Sequence, residues 1–168
     1  MPTAQPLDQL DIALVAALQA NPRAGALELS RQTKVARATV QSRLQRMEDS
    51  GIITGYGPDI DLAAAGHPVL AFVTLEIAQP SLDQVHSELQ SLPNVLEAFV
   101  TTGTGDVLCK IAASSHEDLQ ETLLHLNRSA TVVRSTSVIV LSVLVEPRVL
   151  PMLTAGSVPG RTRAPAYR

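Results

Sequence analysis

Aromatic residues are almost missing from this chain. Its 168 residues hold Tyr56, Phe72, Phe99 and Tyr167, and no Trp. A core must therefore be built from Leu, Val, Ile and Ala. Single-stranded bases would find no aromatic platform to stack on, which removes the common RNA-binding sheets. Cysteine is reduced to Cys109, so no intramolecular disulfide can form. No apolar run approaches the ~18 residues of a membrane helix, and no basic-plus-apolar signal opens the chain. The expectation is a cytoplasmic protein with no membrane partner. Positive charge is not in excess either: 13 Lys and Arg against 16 Asp and Glu leave a net charge of −3. That excludes a protein coating DNA through bulk charge. It leaves room for a locally basic reading head, because phosphates answer to the local field.

Chemistry-bearing motifs are scarce as well. There is no Ser/His/Asp arrangement, phosphate loop or dinucleotide fingerprint. His67, His86, His116 and His125 lack metal-ligand spacing. Cys109 alternates with Val107 and Ile111 along a predicted strand, as a buried small residue would. No catalytic residue, metal or cofactor is expected.

What is present is a hydrophobic content of 45%, enough for one ordinary domain or two small ones. The N-terminal part reads as three helices. The first starts at an Asp8 N-cap, with Leu7 and Ile12 placed for a hydrophobic staple. Leu10, Leu14, Val15 and Leu18 form its apolar face, and Asn21-Pro22 stops it. The second helix spans 26–33 and a turn follows at Lys34-Val35-Ala36. The third spans 37–49, with Val40, Leu44 and Met47 as the buried stripe and Gly51 as the left-handed stop. No acid lies between Glu28 and Glu48, whereas Arg31, Lys34, Arg37, Arg43 and Arg46 do. Hydroxyl, amide and guanidinium groups share the third helix, the mix a helix needs in a DNA major groove. Arg37, Ala38, Thr39, Gln41 and Ser42 are expected near bases, and Lys34, Arg43 and Arg46 on phosphates. A merely solvated basic face is the competing explanation. Ile52–Tyr56 is predicted as a wing strand.

Residues 57–68 read as a hinge, with a short strand at Ile60 and Leu62. From Val69 the order is strand (69–77), helix (81–92), strand (95–101), turn (102–106), strand (107–113), helix (115–127) and a long β-rich run (132–145). This β-α-β-β-α-β order predicts a ferredoxin-like antiparallel sheet with both helices on one face. Its other face, expected to be rich in Val and Ile, needs a partner subunit as cover. The turn Thr102-Gly103-Thr104-Gly105-Asp106 has two explanations. It is a glycine-rich hairpin turn capped by Asp106. Alternatively its backbone N–H groups hold a ligand carboxylate while Asp106 pairs an ammonium. Residues 147–168 have the composition of a disordered basic tail.

These residues resemble the Lrp/AsnC (feast/famine) transcription regulators over roughly 7–146. The resemblance rests on LDQLDIALVAALQANPR (Leu7–Arg23), ELSRQTKVARATVQSRLQRMEDSGIITGY (Glu28–Tyr56), VTTGTGDVLCKI (Val100–Ile111) and VVRSTSVIVL (Val132–Leu141), in that order and at matching distances. It implies an α+β architecture: a winged helix-turn-helix at 1–56 and a ferredoxin-like RAM domain at 69–146 that binds effector and oligomerises. It further implies double-stranded DNA as partner, a small-molecule effector such as an amino acid, and homodimers that build tetramers or octamers. Three departures stand out. Ala36 replaces the Ser that usually opens the recognition helix, losing a cap worth ~1 kcal/mol. Gly105 replaces a large residue before the Asp. Thr131-Val132 replaces the usual Gly-Val. Two other functions stay open: an effector-independent architectural DNA-binding protein of the same fold, and an enzyme like the small tetrapyrrole-decarboxylating branch of that fold.

Overall fold

Two carboxylates start the chain's first helix. In the computed structural model, which describes residues 6–78 and 82–155, α1 spans Gln9–Ala20. The Asp11 backbone N–H donates to Asp8 Oδ1 at 2.9 Å, and the Asp8 N–H donates to Asp11 Oδ2 at 3.0 Å. This reciprocal box satisfies two of the helix's orphan donors. α2 (Ala26–Thr33) and α3 (Arg37–Asp49) follow with the bounds the caps and breakers predict. Lys34 takes a left-handed conformation (φ 57°) between them. The Ser30 hydroxyl donates to the Val35 carbonyl and ties that turn down. α3 ends in a double hydrogen-bonded lock: Ile52 N–H reaches the Met47 carbonyl and Gly51 N–H the Glu48 carbonyl, with Gly51 at φ 71°. Leu14, Ala24, Leu29, Val40 and Met47 form the core of this head.

The described residues divide into two compact units: one holds the chain up to Asp59 together with the chain from Glu146 onward, the other Ile60–Val145. The sheet unit contains β1 (Val69–Ile77), α4 (Leu82–Ser91), β2 (Val95–Val100), β3 (Val107–Ala113), α5 (His116–Arg128) and β4 (Val132–Ile139). The strand order is β2-β3-β1-β4 and every pairing is antiparallel. Alternation along β1 sends Val69, Ala71, Val73 and Leu75 into one core with Val107, Cys109 and Ile111. Val85, Leu89, Leu119 and Leu126 of the two helices close that core. Burial pushes the Cys109 thiol up to about 11, as befits an inert packing residue.

Four expectations are corrected. Residues 52–56 make no wing strand: a strand needs a ladder partner, and no other strand of the head is described. Instead the Tyr56 hydroxyl donates to the Glu48 carboxylate, and Ile53 packs on the head core. Ile60 and Leu62 form no strand either. The Asp61 side chain caps a turn over 61–66 that closes at Gly66 (φ 96°). The β-rich run ends as a strand at Ile139, opposite Ala71; beyond it the Val140 N–H still reaches the Leu70 carbonyl of β1, but the ladder goes no further. Within 147–168, Leu150–Ala155 is a short helix, α6, packed on α1 within the same unit. Leu150 and Leu153, one turn apart, give it an apolar face to half-bury. The Ser81 cap and Arg161, Arg163 and Arg168 lie outside the described residues.

Candidate nucleic-acid interface and effector region

Val40 and Met47 are fully buried and Leu44 half-buried, so they set which side of α3 faces out. Lys34, Arg37, Ala38, Thr39, Gln41 and Ser42 are all exposed, and none of their side chains makes a hydrogen bond or ion pair among the described residues. Gln45 lies one turn beyond Gln41 on the same exposed face. It went unnoticed in the sequence, although the i, i+4 spacing pointed to it. Ala36 is the N-cap and offers no side-chain hydrogen bond, so the first turn of α3 lacks the usual cap.

Arg43 and Arg46 are employed differently. Arg43 Nη1 donates to Asp8 Oδ2 at 2.5 Å and to Asp11 Oδ1 at 3.1 Å. Arg46 Nη2 donates to Asp11 Oδ2 at 2.5 Å. The Asp11 side chain is 0% exposed. At Asp8, burial opposes ionisation, but the Asp11 N–H and the Arg43 guanidinium outweigh it and hold the carboxyl below its usual value. The hydrogen bond to Asp8 in turn raises Arg43. The sequence marked both arginines for phosphates; the fold ties them to α1.

In the sheet unit the loop 102–106 is a closed turn. Thr101 N–H donates to the Asp106 carbonyl at 2.9 Å and the Thr101 hydroxyl to the Gly105 carbonyl at 3.1 Å. Asp106 clasps the end of β1: its N–H donates to the Leu75 carbonyl, and its Oδ2 accepts from the Ile77 N–H, both at 2.8 Å. Gly103 sits at φ 128°. Gly105 is buried, and a Cβ there would meet the Thr74 Cγ2 at 2.1 Å. The large residue usual at this place has no room here, because the loop lies directly on β1. Thr102, Gly103 and Thr104 stay exposed.

Beside Thr104 lies a recess of about 210 Å³ lined by Thr74, Glu76, Thr104, Arg134 and Thr136. Thr74 faces Thr136, and Glu76 faces Arg134, across the β1–β4 ladder. The Glu76–Arg134 pair is long, 3.9 Å, and exposed. The three threonine hydroxyls make no hydrogen bond among the described residues. Sequence reasoning missed Thr74, Glu76 and Thr136 because only the strand register brings them together. The same outer face of the sheet carries exposed Phe72, Phe99 and Val138 and a Glu97–Lys110 pair at 3.6 Å. It is mixed rather than the Val- and Ile-rich surface expected, because alternation turns most of those residues inward.

Known proteins match this arrangement in both units. Residues 7–48 match the AsnC-type helix-turn-helix domain, and residues 70–150 match the Lrp/AsnC ligand binding domain. The chain is 31% identical over 118 residues to the HTH-type transcriptional regulator FL11 of Pyrococcus horikoshii, covering 70% of this chain and 78% of that one. The structure of AsnC from Escherichia coli superposes with a TM-score of 0.80 at 28% identity, over 86% of this chain and 99% of that one. A Neisseria meningitidis transcriptional regulator, solved as its L-methionine complex, gives 0.77 at 25% identity, over 83% and 93%. With an AsnC-type reading head, an Lrp/AsnC ligand-binding sheet and relatives of this identity and coverage, the chain belongs to the Lrp/AsnC family of transcriptional regulators.

Proposed function

We propose that this regulator reads double-stranded DNA through the exposed face of α3. Arg37, Ala38, Thr39, Gln41 and Ser42 face the bases and nearby phosphates, with Lys34 on a phosphate. One observation carries this: these side chains are exposed and uncommitted, while Arg43 and Arg46 on the same helix are held by acids. Donors and acceptors of this kind discriminate base edges in the major groove. The test is binding of the full chain to the duplex upstream of its own gene. Arg37→Ala should weaken binding and flatten the log–log salt dependence by about 0.9, the share of one phosphate contact. Gln41→Ala should relax sequence preference with little change in that slope. Unchanged affinity in both variants would place the reading surface elsewhere.

The effector is an amino acid held at Thr102, Gly103, Thr104, Gly105 and Asp106. Support comes from the neighbouring recess, whose opposite charges and free hydroxyls suit a zwitterion, and from the L-methionine carried by the Neisseria meningitidis relative. A ligand present at 100 times its Kd raises stability by about 2.7 kcal/mol, so a thermal-shift panel of amino acids detects it. A panel without any shift favours an architectural protein that needs no signal. Two heads come together as a homodimer through the outer face of the sheet, and dimers build tetramers or octamers. Exposed Phe72, Phe99 and Val138, with Leu141 and Leu144 more than nine-tenths exposed, supply apolar surface for that contact. Sedimentation of the full chain reads the assembly.

A further inference from the structure

The two acids that start the head's first helix both reach the third helix, Asp11 fully buried and Asp8 half exposed. Asp8 and Asp11 fix each other through the reciprocal backbone hydrogen bonds that start α1. The same two carboxylates reach Arg43 and Arg46, which are 32 to 35 residues further on. We propose that Asp8 and Asp11 are positioning residues for DNA reading. They set the roll of α3 about its axis, and they hold two guanidinium groups away from phosphates. This rests on α3 being the helix that meets DNA.

Three physical points carry it. First, the apolar stripe of Val40, Leu44 and Met47 fixes which side of α3 is inside, but apolar packing tolerates small rotations and slides. A planar guanidinium held by two carboxylates does not. Arg43 and Arg46 flank the stripe one turn apart, so their anchors resist rotation of the exposed face that bears Arg37, Gln41 and Ser42. Second, the arginines are not free to leave. Asp11 is fully buried, and moving its partners to a phosphate would strip a carboxylate in the interior. Third, the neutralisation changes what the head offers to DNA. Arg31, Lys34, Arg37, Arg43 and Arg46 would form a broad cationic surface. With two of them paired internally, the charge facing out is concentrated at Arg31, Lys34 and Arg37. Sequence-independent attraction scales with the number of phosphates neutralised, so such a head binds random DNA less and depends more on its base contacts.

The experiment uses full-length chains and two duplexes: one enriched by the wild type from a random library, the other a scrambled version of it. Affinity for each is followed across salt concentration. Asp11→Asn removes the buried negative charge that both arginines share and leaves Arg43 with Asp8 as its remaining carboxylate. Its preference for the enriched duplex should fall by roughly tenfold or more, while binding to the scrambled duplex strengthens and its salt dependence steepens by about 0.9 per phosphate gained. A role confined to stability would lower the melting temperature and leave both quantities alone. The combined variant Asp11→Leu, Arg43→Met, Arg46→Met removes the buried carboxylate and both guanidinium groups while keeping bulk, and leaves only the half-exposed Asp8 carboxylate, in contact with water. It should retain the wild-type salt slope, and it decides alone if Asp11→Asn does not fold. A slope lowered in the combined variant would make the arginines phosphate ligands and overturn the proposal. So would a folded Asp11→Asn chain with wild-type preference and slope. A wild type that enriches no sequence would sink the DNA-reading assignment itself, and the positioning role with it.

Discussion

The head and the sheet unit each join two elements through opposite charges, and the two arrangements do different work. In the head, a carboxylate with no solvent exposure grips Arg43 at 3.1 Å and Arg46 at 2.5 Å. In the sheet, Glu76 and Arg134 face each other at 3.9 Å with side chains 43% and 70% exposed. The buried contact cannot open without leaving a charge stripped of water. The exposed pair is worth about 0–1 kcal/mol and is easily parted. A tight pair holds a shape, whereas a loose pair beside free hydroxyls is available to a charged guest.

Asp11→Ala breaks the tight side of that comparison and should have the largest effect. Removing one partner of a deeply buried pair costs about 3–5 kcal/mol, and partial hydration of the two arginines lowers this to about 2–3 kcal/mol. An earlier unfolding transition of the head in urea would measure it. Next comes Gly105→Ala, which drives a Cβ against the Thr74 Cγ2 where the loop rests on β1. A loss of about 1–3 kcal/mol is expected. Thr74→Ser removes that methyl and should recover part of the loss in a double-mutant cycle; identical losses in both backgrounds would mean the loop moves aside instead.

Acid supplies a gentler probe. Burial disfavours the Asp8 carboxylate, yet its hydrogen bonds to the Asp11 N–H and Arg43 hold its pKa below the ordinary 3.8. Stabilisation from Asp8 is therefore complete above that value and fades as the pH falls through the lower, folded one. Asp8→Asn should remove this limb of the acid unfolding curve and cost under about 1 kcal/mol at neutral pH, since the side chain is half exposed. Smallest of all, Glu76→Gln should change stability by no more than about 0.5 kcal/mol. It should nevertheless abolish the shift caused by an amino acid. A shift that survives the substitution separates the recess from the effector.

The head's helices were legible in the sequence because their limits are local. Asp8, Asn21-Pro22 and Gly51 act within a turn of themselves, and α2 and α3 have the bounds those residues imply. The wing was not legible in the same way. Ile52–Tyr56 has strand composition, but a strand exists only with a partner, and Tyr56 bonds Glu48 instead. The end of β4 likewise depends on its register against β1, about seventy residues earlier. The exposed face of α3 could be drawn from periodicity, yet periodicity assigns Arg43 and Arg46 only a direction. Their partners are far away in the chain, and nothing near them signals that they are taken.

The order of elements, the apolar stripes and the absence of acids between Glu28 and Glu48 belong to the sequence alone, because each depends on covalent neighbours and helical or strand period. Three features belong to the tertiary structure. Asp11 is buried between two arginines, Gly105 is pressed against Thr74, and Glu76 meets Arg134 beside three free hydroxyls. Each arises from contacts between distant segments, and packing density and strand register decide such contacts. Local period says which residues share a face; only the assembled fold says which of those faces are already occupied.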